Sequence, residues 1–461
     1  MEGGAPRAKR LFGTNGVRGE IGKDMHPDLV LRIGLALGSL RKGTILVGRD
    51  TRTSGPSLAS ALQAGLMATG CNVTDAGILP TPALQFAVGR HHDAGAMVTA
   101  SHNPPEYNGV KIIDTDGTEM GDREILLLEE RIFSGRFETV AWDRVGTISQ
   151  APHLPEEYVQ AVCSHFPEGA GEGVTVVVDP GSGAGCATTP SLMAGLGCRV
   201  HTINARMDGT FPGRLPEPNE EGLAPLAAMV KATGASFGAA HDGDADRTVF
   251  VDEKGRFLEE NREFALIARH LIRKQRGILV TPVSTSRLVE MVAREAGCRV
   301  EYTPVGSIYV ARRMRDLQAG GEPVVMGGEG NGGLIFPDHQ FCRDGGMTAA
   351  MMVSLLAATG EPLSALADDL PMMTLIKVKI RTPRAREAVP CLEKAFFGEA
   401  LDRTDGIRLN REDAWALIRP SGTEPLLRIL VESEDAGRAE ALHREIRGHL
   451  RDAGIDLRPS G

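Results

Sequence analysis

Apolar and polar positions follow one arrangement three times along this chain. A short continuous aliphatic run leads into a loop rich in Gly, Pro, Ser, Thr and Asp. A segment with helical apolar spacing comes next, and Gly-Cys-x-Val then opens another aliphatic run. The copies are TILVGRDTRTSG from Thr44 with GCNV at Gly70, GVTVVVDPGSGAG from Gly173 with GCRV at Gly197, and GILVTPVSTS from Gly277 with GCRV at Gly297. Each reads as a strand–helix–strand (βαβ) unit. Unbroken Val/Ile runs such as VTVVV suit strands covered on both faces, as in parallel sheets. Such units resemble one another in any protein, but three with the same return motif predict structural repetition.

The C-terminal stretch has another rhythm. TLIKVKIRTP alternates as a strand, REAVPCLEKAFFG has helical spacing, DAWALIRPSGTEPLLRILVES holds two strands around a loop, and AGRAEALHREIRGHLRDAG closes as an amphipathic helix. The expected fold class is therefore α/β with four domains. Three are similar mixed α/β sandwich domains of βαβ type, and the fourth is a smaller C-terminal α+β domain. Punctuation sets the boundaries: the two prolines of ISQAPHLPEEY, the hairpin-like TVFVDEKGRF and the segment PLSALADDLPMM. They divide the chain into 1–150, 151–254, 255–370 and 371–461.

Composition narrows the partners more than the fold. The chain has 461 residues, 42% hydrophobic and 24% charged, as expected of a globular protein with a sizeable core. A net charge of −9 without a long basic run gives no nucleic-acid footprint. No apolar run approaches membrane-spanning length, so no membrane partner is expected either. An acidic protein that binds an anion must gather its cations locally, which draws attention to individual arginines. The seven cysteines are scattered, odd in number and without a CxxC pair, as expected of buried free thiols in a reducing compartment. The opening MEGGAPRAKR is basic with no apolar stretch behind it, unlike a signal peptide, and points to the cytoplasm. Nothing in the sequence decides between monomer and homodimer.

Four polar motifs carry the candidate chemistry. In TASHNPPEYNGVKI the strand AGAMVTA ends at Ser101, and two prolines stiffen the turn after it. That geometry presents a hydroxyl outward as a nucleophile or phosphate carrier, although a plain polar loop fits the same residues. His102 adjoins it, and Lys111 lies in the following strand GVKII. In HDGDADR the carboxylates of Asp242, Asp244 and Asp246 alternate; in an extended loop they converge on one side. Such hard ligands suit Mg²⁺ or Ca²⁺, and without a cation three close carboxylates repel. An EF-hand also begins with alternating Asp, and Glu253 fits its last position. Here, however, Arg247 stands where that loop needs glycine, and the flanks FGAA and TVFVD read as strands. A solvated acidic turn is the other alternative.

The third motif, GGEGNGGLIFPDH, alternates Glu329 and Asn331 within a glycine loop, an acceptor and an amide matched to vicinal hydroxyls; a flexible turn is the plainer reading. The fourth, RPSGTEPLLRI, sets Arg419, Ser421, Thr423 and Arg428 around Gly422. Hydroxyls and backbone N–H groups form an anion nest there, with two guanidiniums for phosphate oxygens. It lacks the GK[ST] ending of a Walker loop. Arg18, in FGTNGVRG, could reach the serine loop, and His339 follows the glycine loop.

In this order and combination, LFGTNGVRG, TASHNP, HDGDADR, GEGNGG and RPSGTEP resemble the α-D-phosphohexomutase family over essentially the whole chain. LFGTNGVRG and GEGNGG are most similar to its archaeal-type phosphoglucosamine mutases. Many bacterial members carry GExSGH in the sugar loop, whereas this chain has Asn331 where serine is common and Gly333 where histidine is common. The resemblance implies four domains around a central cleft and a phosphorylated Ser101. It implies one Mg²⁺ per chain, held by Asp242, Asp244, Asp246 and the phosphoserine, and a sugar bisphosphate that activates the enzyme and turns between two transfers. Glu329 and Asn331 would hold sugar hydroxyls; Arg419, Ser421, Gly422, Thr423 and Arg428 would hold the distal phosphate. Arg247 and Lys111 would neutralise charge, with His102, Lys111 and His339 as proton-transfer candidates. The implied reaction interconverts glucosamine 6-phosphate and glucosamine 1-phosphate. A phosphomannomutase/phosphoglucomutase with the same mechanism is the near alternative, and a non-catalytic sugar-phosphate-binding protein or a phosphatase the distant ones.

Overall fold

The computed structural model describes residues 9–421 and 425–455. Contacts divide the chain into two compact units, one of Met1–Glu263 and Asn331–Leu366, the other of Phe264–Gly330 and Ala367–Gly461.

The first unit holds two sheets. In the six-stranded one the central strand Thr44–Arg49 lies between Asn72–Ile78 and Ala94–Val98, parallel to both. Tyr107–Ile113 then runs antiparallel beside Ala94–Val98, and Val17–Glu20 antiparallel beside Tyr107–Ile113. The five-stranded sheet repeats the scheme. Thr175–Asp179 lies between Arg199–Thr202 and Phe237–His241, parallel to both, and Thr248–Asp252 returns antiparallel. In the second unit Ile278–Pro282 lies between Arg299–Thr303 and Val324–Glu329, again parallel to both. The expected threefold repetition is thus present at the level of strand order. The VTVVV run read as covered on both faces is the central strand Thr175–Asp179, buried from Val176 to Asp179, and Ala94–Val98 is buried throughout.

Side chains explain the local arrangement. Helix Pro27–Leu40 begins on proline, whose missing N–H is no loss at a helix start. It packs on Gly55–Ala68 so closely that a Cβ at Gly34 would run into the carbonyl of Leu62, and one at Gly65 into that of Leu31. Buried Glu129 ties down the amino-terminal segment, accepting from the backbone N–H of Leu11 (2.7 Å) and Phe12 (2.8 Å). That fixes the start of the LFGTNGVRG stretch carrying Arg18.

The C-terminal domain is a five-stranded, wholly antiparallel sheet under two helices, Ala388–Ala395 and Ala436–Asp452. Its core includes Ile380, Leu392, Ile418, Ile429, Leu442 and Ile446. The change of rhythm in the sequence reflects this change from parallel to antiparallel pairing. The seven cysteines are free, but only Cys71 and Cys342 are fully buried. No described helix is long and apolar enough to cross a membrane.

The 255–370 block contributes to both units. Helix Gly345–Thr359 packs in the first, where Gly345 lies against the carbonyls of Ala245 and Arg247. Its capping residue Asp344 accepts from Met347 N–H (2.9 Å) and from the Tyr158 hydroxyl.

Candidate functional site

Ser101 and the aspartate triad meet inside the first unit. Ser101 follows the buried strand Ala94–Val98 and takes a left-handed backbone conformation, φ 50°. Such strain in a non-glycine residue costs about 1–3 kcal/mol and persists only where neighbours impose it. Arg52 imposes it here. Its guanidinium, wholly buried, donates to the carbonyls of Ser101 (2.8 Å), Asn103 (2.6 Å), Pro104 (2.5 Å) and Tyr107 (2.8 Å). Asp50, just past the central strand, pairs with Arg52 Nε at 3.0 Å and accepts from Thr99 Oγ1 at 2.6 Å. Ser101 is itself fully buried, not presented outward as its turn predicts, because its hydroxyl faces protein: Oγ donates to Asp242 Oδ2 at 2.7 Å.

The triad lies between the antiparallel strands Phe237–His241 and Thr248–Asp252, so no EF-hand helices flank it. Glu253, the EF-hand candidate, accepts from the hydroxyl and backbone N–H of Ser364 instead. One ligand oxygen from each of Asp242, Asp244 and Asp246 falls within 4.8 Å of the others. The convergence does not come from extended alternation. The loop makes a turn, with Ala245 N–H donating to Asp242 O (3.2 Å) and Ala245 at φ 54°. A second clamp holds this loop: Arg214 donates to His241 O (2.6 Å) and pairs with Asp179 Oδ2 (2.8 Å) at the end of the second central strand.

Cations and helix ends divide the carboxylate oxygens. Asp244 Oδ2 accepts from Lys111 Nζ (2.7 Å) and Thr81 Oγ1 (2.5 Å), at the start of helix Thr81–His91. Asp246 Oδ2 accepts from Lys111 Nζ (2.8 Å) and Arg343 Nη2 (2.6 Å). The other oxygens, Asp244 Oδ1 and Asp246 Oδ1, are buried without a hydrogen-bond partner. Orphaned anionic oxygens beside a third carboxylate are the donor set a hard divalent cation requires, so the residues fit Mg²⁺.

Electrostatics follows the same division. Burial, then Asp244 and Asp246, pushes the Asp242 carboxyl well above its ordinary range. Burial and Asp246 press Asp244 upward as well, but Lys111 and the hydrogen bonds to Lys111 and Thr81 outweigh them and bring it down. Burial likewise presses on Asp246, and Arg343, Lys111 and Arg247 hold it low. Burial would depress Lys111, yet Asp244 and Asp246 raise it, so it stays a cation. Burial, then Arg247 and Arg18, lowers His102 to about 3, which leaves a neutral imidazole. Its Nδ1 is 3.3 Å from Ser101 Oγ, and its Nε2 is 3.6 Å from Glu217, which also lies 3.6 Å from Arg247. Arg18 reaches the serine loop as anticipated, donating to Asn103 Oδ1 at 2.9 Å.

Other sequence candidates fall elsewhere. His339 stacks on Phe86 and contacts Tyr158, His165 and Asp344, none of them in the triad. Asn331 Oδ1 accepts from Gly333 N–H at 3.2 Å, within its own loop. Glu329 ends the strand Val324–Glu329 in the second unit and is 8% exposed. Ahead of it, Thr281 Oγ1 donates to Gly328 O at 2.9 Å. Gly422 and Thr423 lie outside the described residues, while Ser421 N–H donates to Leu426 O at 2.7 Å. Arg419 and Arg428 are cross-strand partners, and Lys379 faces Arg428 from the next strand, so three cations form one row. Arg419 is paired with Asp405 at 2.7 Å. Like charges opposite one another destabilise a sheet unless an anion joins them.

Sequence reading missed Asp50, Arg52, Thr81, Asp179, Arg214, Glu217, Arg343 and Lys379. Two of these had a signal: Asp50 and Asp179 stand at equivalent ends of the repeated strand.

Fold and site together define an α/β enzyme able to bind a divalent cation beside a buried serine. Comparison with known proteins gives the family. Descriptions of phosphoglucomutase/phosphomannomutase match in order: alpha/beta/alpha domain I over residues 9–139, domain II over 156–255, domain III over 259–373 and the C-terminal domain over 375–449. The chain is 42% identical over 443 residues to a phosphoglucomutase/phosphomannomutase of Thermococcus kodakarensis, covering 93% of this chain and 96% of that one. It is 42% identical over 446 residues to a probable phosphoglucosamine mutase of Methanopyrus kandleri, covering 95% and 96%. A crystal structure of a phosphoglucomutase/phosphomannomutase family protein from Burkholderia thailandensis superposes with a TM-score of 0.85 at 29% identity, covering 97% of this chain and 100% of that one. The chain belongs to the phosphoglucomutase/phosphomannomutase family and is an enzyme of the phosphohexomutase class.

Proposed function

We propose that this enzyme interconverts glucosamine 6-phosphate and glucosamine 1-phosphate through a phosphorylated Ser101 and a sugar bisphosphate. One observation carries the proposal: the Ser101 hydroxyl lies 2.7 Å from Asp242 Oδ2, in a buried triad where Asp244 Oδ1 and Asp246 Oδ1 have no hydrogen-bond partner. A serine that only bound ligand would not need to sit on a metal cluster.

In this reading the phosphoryl group leaves Ser101 Oγ for a sugar hydroxyl. The P–O bond to serine breaks as the bond to the sugar forms, and the hydroxyl proton passes to a base. The bisphosphate turns, its other phosphoryl group passes to Ser101 Oγ, and the sugar oxygen it leaves takes back a proton. Asp242, Asp244 and Asp246 would hold the cation. Bound there, Mg²⁺ supplies neutralisation of the charge spreading over the transferring oxygens. Lys111 and Arg247 add fixed positive charge, which needs no rearrangement at the moment of transfer. His102, whose ring is partly exposed and faces Ser101 Oγ, is a proton-acceptor candidate by position, although burial and two arginines make it a weak base, and Lys111 is held as a cation by two carboxylates. Arg419, Arg428 and Ser421 are assigned to the phosphate that is not reacting, and Glu329 and Asn331 to the sugar hydroxyls.

The amino sugar rests on the resemblance of GEGNGG and on the name of the Methanopyrus relative. The Thermococcus relative supports the alternative, mannose and glucose phosphates. Measuring kcat/KM for glucosamine, mannose and glucose phosphates side by side decides between them: the proposal expects the amino sugar to lead, and fails if mannose or glucose does. Ser101→Ala is expected to abolish turnover while sugar-phosphate binding stays within about tenfold, roughly 1.4 kcal/mol. Undiminished turnover would refute the phosphoserine.

A further inference from the structure

Asp246 treats its two carboxylate oxygens unequally. Oδ2 carries both hydrogen bonds, from Lys111 and Arg343, and Oδ1 carries none. An aspartate gripped by one oxygen has its other aimed. Partners of this kind, set behind metal ligands, fix ligand orientation.

Arg343 reaches Asp246 from 97 residues away, and its side chain is 2% exposed. Its backbone is pinned by an antiparallel bridge to Ile335, and its stem crosses Gly333. A Cβ on Gly333 would overlap Arg343 Cδ and lie 3.1 Å from Cγ. Gly333 is not among the residues with positive φ, so its backbone conformation does not demand glycine. Only the space does.

We propose that Arg343 is a positioning residue of the metal site, holding Asp246 so that Oδ1 faces the cation, and that glycine stands at 333 to admit its side chain. The proposal rests on reading the aspartate triad as a Mg²⁺ site. Two physical effects oppose each other here, and their balance gives the test its sign. A guanidinium 2.6 Å from the far oxygen of a ligand carboxylate repels a divalent cation, so charge alone makes Mg²⁺ bind tighter once Arg343 is removed. Orientation makes it bind weaker, by about 10–100-fold for the loss of such a partner.

The experiment titrates Mg²⁺ into the purified full-length protein by calorimetry and checks the site with Mn²⁺ by electron paramagnetic resonance, without substrate. Arg343→Met is expected to weaken Mg²⁺ by about 10–100-fold. Arg343→Lys, charged but shorter and unforked, is expected to fall between. Gly333→Ala removes no donor yet is expected to weaken Mg²⁺ similarly, by displacing the arginine. The Gly333→Ala/Arg343→Met double variant is expected to bind no worse than Arg343→Met alone. Unchanged or tighter binding in Arg343→Met, or additive losses in the double variant, overturns the proposal. If Arg343→Met does not fold, Gly333→Ala carries the same test, with every polar group retained. Wild-type protein that binds no Mg²⁺, or binds it equally after Asp244→Asn, overturns the metal reading and this inference with it. Wild-type binding that Asp244→Asn abolishes, with Arg343→Met unaffected, overturns this inference alone.

Discussion

Replacing Arg52 with methionine removes the device that holds the serine loop while keeping most of its volume. Both members of the Asp50–Arg52 pair are fully buried, with Nε and Oδ2 3.0 Å apart. Removing one partner of such a pair costs about 3–5 kcal/mol, because the other charge is left uncompensated in a dry site. Four carbonyls also lose a charged donor, each bond ordinarily contributing about 1.5–3 kcal/mol. These losses are not additive, since a loosened loop can turn its carbonyls to water. A total near 4 kcal/mol follows, a large part of the ~5–15 kcal/mol that keeps a domain folded. The defect has a pH signature. Burial already raises the Asp50 carboxyl despite Arg52, and without Arg52 it rises further. A carboxyl whose folded pKa lies above its unfolded one destabilises the fold increasingly as pH rises between the two values. The variant should therefore recover part of its stability on acidification, and Asp50→Asn in the same background should recover it at neutral pH. Urea unfolding at pH 5 and 8 measures both, and phosphate uptake on Ser101 by intact mass reports the loop. Misplacing a reacting group by about 1 Å can cost 10²-fold in rate. A stability loss below about 1 kcal/mol, or no recovery from Asp50→Asn, refutes the argument.

Other outcomes follow from the same structure. Arg214→Met, which strips the clamp from His241 O and Asp179, should lower the urea midpoint and weaken Mg²⁺ binding together; a midpoint within error of wild type would contradict it. Chelation should stop turnover, and added Mg²⁺ should restore it. Burial, opposed by Asp344 and aided by His165 and Arg90, lowers His339 to about 4. Its folded pKa is below the ordinary 6.5, so its neutral form is stable above pH 6.5 and stability is lost as pH falls toward 4. His339→Gln should remove about 2–3 kcal/mol of that acid loss, read as urea midpoints at pH 7 and 4.5; equal slopes for both proteins would dismiss the assignment.

Periodicity and punctuation carry the fold in this sequence. The VTVVV and AGAMV runs are buried strands, the Gly-Cys-x-Val returns open second strands, and the alternation of TLIKVKIR belongs to an antiparallel edge strand. The triad and Ser101 were legible because their residue types are unusual in combination. What escaped was the supporting layer. Arg343 is close to Asp246 only in space, and Lys379 is one lysine among many until strand register sets it opposite Arg428. Neither has a local pattern. The turn at Ala245 was also hidden, since alanine gives no hint of a left-handed backbone. Ser101 looked exposed because its loop is polar, whereas its burial comes from a second sheet more than a hundred residues on.

Arg52, Arg214 and Thr281 share one habit: each donates to a main-chain carbonyl, of Ser101, His241 and Gly328 respectively. Every amino acid supplies that carbonyl. Such a grip is indifferent to which residues the loop displays, so substitutions there can redraw what is recognised without loosening the frame. A scaffold held in this way leaves the side chains of its loops free to vary, and two relatives equally identical to this chain carry different sugars in their names.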